Sequence, residues 1–236
     1  MVTYNGEDII YDDDGNMLYG PLDGEMVTFT YDCRNRLISA GDTTYEYDAE
    51  NIRTAVETPE YREEYVTDSV GELSRVLVIT REYKTSANEE NSSTDNYVET
   101  ENYYYGNGLI YEKSSEVGVL VYHYNHLGST TAVTDKDGKL VYSYDYGTYG
   151  ELVSTTEYSN TTPTIRFLYN GQLGVATDGN GLYYMRSRYY NPEIKRFINQ
   201  DVLIGSIGNS NSLNRYSYVE GNPVSYTDPF GLSPYK

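Results

Sequence analysis

Short runs in which apolar and polar residues alternate make up most of the chain. In LVYSYDY, residues 140–146, tyrosines occupy every second position, so they fall on one face of an extended strand. Asp-Gly pairs interrupt such runs at 14–15, 23–24 and 137–138, and this dipeptide is a strong signal for the tight turn of a β-hairpin. The pattern predicts an all-β protein of repeated antiparallel β-hairpins.

Three stretches depart from this alternation. LSRVLVITREY, residues 73–83, is almost continuously apolar at its centre and predicts a central strand covered on both faces. Residues 84–96 are polar, acidic and low in complexity, which is typical of a long mobile hairpin loop, with a domain linker as the alternative. Residues 212–220 have helical spacing and are followed by the helix-stopping Gly221 and Pro223, so we expect at most one short helix there.

One hairpin phrase is repeated near the N-terminus. FTYDCRNRLISA, residues 29–40, is echoed by YEYDAENIRTAV, residues 45–56, with a Tyr-Asp pair in each copy. A repeat this short favours stacked β units that bury their faces against neighbouring units.

Tyrosine accounts for 30 residues, against four phenylalanines and no tryptophan. The ring packs well on a half-buried pleated surface while the hydroxyl reaches water or a polar partner. The tyrosine stripes therefore indicate packing between strands, and a platform that binds a glycan is the alternative.

Charge is unevenly distributed along this acidic chain. The net charge of −19 argues against nucleic acid or an anionic membrane surface as the partner. Residues 182–236 contain six Lys and Arg against four Asp and Glu, which leaves −21 for residues 1–181. The basic C-terminal part would help to keep a buried carboxylate ionised.

The sequence also bears on localisation. No stretch approaches the roughly 18 apolar residues of a membrane span. The acidic N-terminus lacks the apolar run of a signal peptide, and the single cysteine, Cys33, allows no internal disulfide. We expect a secreted or cell-surface effector that another carrier delivers.

Two aspartates near the C-terminus, Asp201 and Asp228, are the candidate reactive groups. Two carboxyls brought close together cannot both ionise easily, so one can act as a base on water while the other keeps its proton and polarises a peptide carbonyl. In the alternative, both are structural: Asp228, Pro229 and Gly231 build a turn and Asp201 caps local amides. The acidic turns at 12–16 and 135–138 lack the glutamate at the twelfth position of a calcium loop, so we expect no metal and no cofactor.

The same region resembles a known family. RYYNPEIKRFINQD, residues 188–201, and NRYSYVEGNPVSYTDPFGL, residues 214–232, resemble the RHS-associated core that closes RHS/YD-repeat proteins, among them bacterial polymorphic toxins and the C components of insecticidal toxin complexes. The Tyr-Asp repeats resemble other parts of these proteins. The resemblance implies a β shell, or an arc of one, around a C-terminal toxin that many members release by cutting after the leucine of a terminal DPxGL motif.

Site residues follow from the resemblance. It implies an aspartyl autoprotease in which Asp201 and Asp228 are catalytic, Arg196 braces a carboxylate, and the cut separates Leu232 from Ser233. The residues with a structural role in the motif are Pro223, Pro229, Gly231, Tyr189 and Tyr190. The first motif reads DVLIG and lacks the usual proline after Asp201.

These expectations divide the chain into three parts. Residues 1–181 are the hairpin scaffold, 182–232 the core with its self-cleavage motif, and 233–236 the start of a removed toxin region. The expected partners are a C-terminal toxin domain or the rest of a longer shell, with self-association through sheet edges as a further route. The alternative function is a non-enzymatic structural or adhesive module that binds a protein partner or a glycan.

Overall fold

The computed structural model describes residues 2–84, 97–160, 163–232 and 234. These residues form β-strands and three short 3-10 turns, at Gly171–Leu173, Ser210–Leu213 and Val219–Gly221, and no α-helix occurs among them. The strands are β1 Thr3–Tyr4, β2 Glu7–Asp8, β3 Ile10–Tyr11, β4 Met17–Leu22, β5 Glu25–Tyr31, β6 Leu37–Ala40, β7 Thr43–Tyr47, β8 Arg53–Glu57, β9 Tyr61–Asp68, β10 Arg75–Tyr83, β11 Val98–Gly106, β12 Gly108–Ser114, β13 Gly118–Tyr124, β14 Thr130–Asp135, β15 Leu140–Tyr146, β16 Leu152–Glu157, β17 Ala176–Thr177, β18 Tyr183–Met185, β19 Arg188–Asn191 and β20 Arg196–Phe197. The predicted all-β hairpin architecture is confirmed. None of the helical turns in the described ranges has the length or the apolar character to cross a bilayer.

Strands β3 to β16 form one antiparallel sheet of 14 strands in sequence order. Each strand pairs with the strands just before and after it in the chain, as expected where short turns join antiparallel neighbours. The edge strand β16 is exposed along all six of its residues. A second sheet contains β17 to β20 in order, and β1 pairs only with β2.

The aspartates of the Tyr-Asp repeats build the turns of the large sheet. Oδ1 of Asp32 accepts the backbone N–H groups of Arg34 and Arg36 at 2.9 and 3.0 Å. Oδ1 of Asp48 accepts the amides two and four residues further on, both at 2.9 Å. The same pair of contacts recurs at Asn125 and Asp135. A short polar side chain thus supplies the hydrogen bonds that a tight turn leaves unmade.

The tyrosines that end several strands tie their hairpins to an earlier strand. Their hydroxyls donate to backbone carbonyls at 2.7 to 2.9 Å, in the pairs Tyr47 to Leu37, Tyr105 to Val76, Tyr124 to Leu109 and Tyr146 to Thr130. In the stripe at 140–146, Tyr142 and Tyr144 are each 6% exposed and their rings stack 5.7 Å apart. This stripe is core packing.

The large sheet wraps around the C-terminal part of the chain. Near one end of the sheet, Asn16 forms an isolated bridge with Asn199. Near the other end, the Tyr183 hydroxyl donates to the Gly150 carbonyl at 2.7 Å. A flat sheet of this many strands, about 4.8 Å apart, would extend about 60 Å, so only a strongly curved sheet can contact one small segment at both ends.

One local prediction is wrong and one lies outside the described residues. Strand β10 is covered fully on one face only, because Ile79 and Arg81 are buried while Thr80 between them is partly buried and Glu82 is exposed. Over 212–220, where at most one short helix was expected, no α-helix forms; two separate 3-10 turns lie at 210–213 and 219–221, since Ser and Asn side chains there bond to local backbone groups instead. Of the expected loop at 84–96, residues 85–96 are not among those described.

One group of charges is buried between the middle of the large sheet and the C-terminal segment. We call it the glutamate cluster: Arg81, Arg166, Glu63, Glu99, Glu101 and Glu112, each at most 6% exposed. Arg81 contacts Glu63 at 2.7 Å, Glu99 at 2.5 Å and Glu101 at 3.0 Å. Burial raises the pKa of Glu112 to about 8 and that of Glu101 to about 7. Burial opposes the charged form of Glu63 as well, but Arg166 and Arg81 outweigh it and lower its pKa.

Candidate active site

Asp201 lies shortly after β20 and is anchored in a turn. Its backbone N–H donates to the Arg215 carbonyl at 2.8 Å, and its Oδ1 accepts the Leu203 N–H at 2.8 Å. The Arg215 Nε donates back to the Asp201 carbonyl at 2.6 Å. The residue is 8% exposed. Oδ1 therefore has the turn-capping role that the structural alternative expects, and Oδ2 faces another partner.

Asp228 is held in a second turn. Its Oδ1 accepts the Leu232 N–H at 2.9 Å and its carbonyl accepts the Gly231 N–H at 3.2 Å. Gly231 has a φ of +68°, and a Cβ at this position would lie 2.5 Å from the Met185 carbonyl oxygen. Both the backbone conformation and the close approach therefore require glycine. Asp228 is 2% exposed.

Arg188 at the start of β19 brings the two aspartates together. Its Nη2 lies 2.7 Å from Oδ2 of Asp201 and 3.8 Å from Oδ2 of Asp228. The two carboxylates are thus within a few ångströms of each other, although 27 residues separate them in the chain. We call Arg188, Asp201 and Asp228 the aspartate site.

The arginine is itself rigidly placed. Its guanidinium lies 3.7 Å from the centre of the Phe197 ring, and its Nη1 donates to the Arg215 carbonyl at 2.9 Å. Sequence reasoning missed Arg188. The available signal was an arginine at the head of a strand between aromatic residues, because a buried charge in such a position needs a partner.

Arg196, the residue expected to brace a carboxylate, lies elsewhere. Its guanidinium is 4.8 Å from the centre of the Tyr216 ring, and its backbone bridges to Ser217. Among the described residues it forms no ion pair with Asp201 or Asp228, whose ion pairs are with Arg188. The arginine that contacts both aspartates is therefore Arg188 and not Arg196.

The arginine of the site stays charged despite its burial. Burial lowers the pKa of Arg188 to about 10, although both carboxylates raise it, so the guanidinium stays protonated at neutral pH. A nearby cation favours the ionised carboxylate, while a second carboxylate nearby favours a retained proton. One carboxylate and one carboxyl beside water is the arrangement that acid-base hydrolysis of a peptide needs.

A cavity of about 170 Å³ opens beside the aspartate site and is lined by all three of its residues and by Leu232. It has room for several water molecules, each of which takes about 30 Å³. Val219 and Glu220, also in its lining, have φ values of +43° and +55°. Left-handed backbone at a β-branched residue is strained, and such residues cluster at functional sites.

The other motif residues surround this site. Tyr189 and Tyr190 follow Arg188 on β19 and bond in different directions, Tyr189 to the Tyr47 hydroxyl at 2.9 Å and Tyr190 to the Tyr149 carbonyl at 2.8 Å. Pro223 and Pro229 are buried. Leu232 is half-buried, and Ser233, on the far side of the expected cut, lies outside the described residues.

Known proteins with similar sequences cover nearly the whole chain. No family model matches the sequence. The tRNA nuclease WapA of Bacillus subtilis strain 168 is 33% identical over 98% of this chain, and the tRNA3(Ser)-specific nuclease WapA of Bacillus spizizenii is 32% identical over 98%. This chain spans about 9% of the length of each of these two relatives.

Solved structures have the same fold. A Tc holotoxin pore structure from Photorhabdus luminescens matches 97% of this chain with a TM-score of 0.55 and 18% identity, over 13% of that chain. A TcdB2-TccC3 crystal structure matches 95% with a TM-score of 0.56 and 19% identity, also over 13%. The chain belongs to the RHS/YD-repeat family. As an RHS/YD-repeat protein it has the shell fold of these toxin components, and its C-terminal segment packs against one face of the large sheet.

Proposed function

We propose that this chain is the closing part of a longer RHS shell that encloses a C-terminal toxin and frees it by one cut after Leu232. The observation that carries the proposal is the meeting of Asp201 and Asp228 at one guanidinium, beside a cavity and Leu232. Relatives named as toxins support it. One is the double-stranded DNA deaminase toxin A of Burkholderia cenocepacia, 35% identical over 48% of this chain and 7% of its own length.

The two aspartates have different roles in the proposed reaction. Asp201, the nearer to Arg188 at 2.7 Å, stays ionised and takes a proton from a water molecule in the cavity. Asp228 keeps a proton and polarises the Leu232 carbonyl. The water oxygen bonds to the carbonyl carbon, the C–N bond to Ser233 breaks, and the departing amine takes the proton from Asp228. One water is consumed, and the products are a Leu232 carboxyl group and a free amine.

The fold delivers the scissile bond to its own catalytic groups. The Leu232 N–H already bonds to Oδ1 of Asp228, so no substrate has to be captured from solution. Effective molarities of well-oriented intramolecular reactions reach about 10⁵ M and more, which suits a weakly activated carboxyl pair. The reaction is single-turnover, because each chain contains one such bond.

The intact mass of freshly purified protein tests this proposal. We expect wild type to lose residues 233–236 and the Asp228→Asn variant to retain them. Asp135→Asn is the matched control, because Oδ1 of Asp135 caps a scaffold turn in the same way but takes no part in the proposed cleavage. A full-length mass for wild type after days at neutral and at mildly acidic pH would overturn the proposal.

A second candidate function is a structural module without activity, delivered to the cell surface or out of the cell by another carrier. It is favoured by the turn-capping Oδ1 atoms of Asp201 and Asp228, which repeat the chemistry of the scaffold turns. The fully exposed edge strand β16 would then pair with a further strand of a longer shell or of another copy. Under this function Asp201→Asn changes stability, and wild type and variant both keep their full-length mass.

A further inference from the structure

The turn between β18 and β19 holds three consecutive carbonyl groups near the end of the described chain. Arg186 and Ser187 in this turn, and Arg188 at the start of β19, each donate a hydrogen bond to one of these carbonyls. Arg186 Nη1 donates to the Pro229 carbonyl at 2.5 Å, the Ser187 N–H to the Phe230 carbonyl at 3.2 Å, and Arg188 Nε to the Gly231 carbonyl. The segment 229–231 therefore lies along the turn, with one donor for every carbonyl.

We infer that this turn is the binding site for the peptide segment 229–232 and that Arg186 is a positioning residue for the cut. The inference rests on the proposed function. Within the described residues, Leu232 is the first residue of the segment whose carbonyl accepts no such bond. Holding the three preceding carbonyls aligns the fourth with the aspartate site without blocking it.

Arg186 is anchored as a positioning residue should be. Its Nη2 donates to the Ser74 carbonyl at 2.7 Å and to the Leu173 carbonyl at 2.8 Å, and its Nε donates to the Ser74 hydroxyl at 3.1 Å. Among the described residues it has no carboxylate partner, and burial lowers its pKa to about 10. A half-buried cation without a counter-ion is costly, so the fork of donors that joins the segment to the backbone at Ser74 and Leu173 explains an arginine here.

Two glycines shape the site around these groups. A Cβ at Gly174 would lie 2.9 Å from Nη2 of Arg186, and one at Gly231 would lie 2.5 Å from the Met185 carbonyl oxygen. Both residues have positive φ, +80° and +68°. The missing side chains leave room for the guanidinium and let the segment approach the turn, so the site takes a peptide in a turn conformation with glycine immediately before the leucine.

This geometry has a consequence for release. The hydrogen bonds from the turn involve only residues before the cut, and cleavage breaks none of them. The new Leu232 carboxylate therefore stays in the shell beside Arg188, and only the residues after it leave.

The test compares cleavage rates, followed by intact mass, in Arg186→Ala and Arg186→Lys with those of wild type. We expect Arg186→Ala to cut about a hundredfold more slowly, the cost of a misplacement of about 1 Å. Guanidinium at a sub-denaturing concentration should restore part of the rate, and the pH profile should keep its shape. Arg62→Ala, a partly exposed arginine with three carboxylate partners on the scaffold, is the control and should cut like wild type.

The outcomes separate the inference from the proposed function. Suppose that wild type cuts. If Arg186→Ala then cuts equally fast, or cuts slowly and guanidinium does not raise its rate, the positioning role is wrong and the self-cleavage stands. If wild type never cuts, self-cleavage is wrong, and hydrogen exchange of the Ser187 amide then decides the binding site. Lost protection of this amide in Arg186→Ala supports binding of the segment by the turn, and unchanged protection overturns it.

Discussion

The glutamate cluster and the aspartate site both bury carboxylates beside arginine, but they differ in what those charges contact. In the cluster, the glutamates contact side chains, such as Arg81, Arg166 and the Tyr122 hydroxyl. In the aspartate site, the Asp228 carboxylate also accepts the backbone N–H of Leu232, and a cavity opens beside the site. Buried charge by itself therefore does not identify a reactive site. A peptide bond and room for water are needed as well.

The largest expected effects come from replacing Arg81 in the glutamate cluster and Arg188 in the aspartate site. Arg81→Ala leaves buried glutamates without their cation, which should lower the free energy of unfolding by about 3–5 kcal/mol. The rate at which folded molecules cut should stay that of wild type. Urea unfolding and intact mass measure the two quantities. A fall in the cleavage rate without a loss of stability would show that the cluster takes part in the chemistry.

Arg188→Lys should reduce the cleavage rate more than the stability, the reverse of Arg81→Ala. Lysine keeps one charge but cannot bond to Asp201, the Gly231 carbonyl and the Arg215 carbonyl at once. We expect the cleavage rate to fall about a hundredfold or more, as when an oriented electrostatic partner is lost. The melting temperature should change less than in Arg81→Ala. An unchanged rate would remove Arg188 from the proposed mechanism.

The pH dependence of stability should come from the cluster. Glu112 has a pKa of about 8 in the folded chain against an ordinary value of 4.5, so between these values the folded state binds more protons than the unfolded state. The free energy of unfolding must then fall as pH rises from about 4.5 to about 8. In Glu112→Gln the free energy of unfolding should fall less over this pH range, and at pH 9 the variant should be more stable than wild type. Identical pH profiles for the two proteins would contradict the raised pKa.

A smaller effect is expected for the tyrosines that tie neighbouring hairpins. Tyr146→Phe removes the hydrogen bond to the Thr130 carbonyl and should cost about 1 kcal/mol of unfolding free energy. The exposed Tyr104 is the control, because its Phe variant should unfold like wild type. Equal midpoints for Tyr146→Phe and Tyr104→Phe in urea would mean that these hydroxyls contribute nothing beyond ring packing.

The predictions from sequence succeeded where a rule acts over a few residues. Alternation, Asp-Gly turns and the Tyr-Asp repeat all depend on backbone geometry within one hairpin, and the structure confirms the hairpin architecture that they predict. The prediction for β10 was wrong because a run of apolar residues does not show whether one or both faces of the strand are covered. At 212–220 the sequence allowed at most one short helix, and no α-helix forms there because local Asn and Ser bonds compete with helical ones.

The sequence by itself determined the order of the hairpins, the residues that turn the chain and the two aspartates that a reaction would need. Only the tertiary structure decided which arginine joins them, because Arg188 and Arg196 carry the same charge and Arg196 is the nearer of the two to Asp201 in sequence. The two arginines lie on neighbouring strands of the second sheet, β19 and β20, where side chains on opposite faces point in different directions. The three carbonyls held by residues 186–188 likewise come from a segment more than forty residues away, and a local rule cannot predict such a contact.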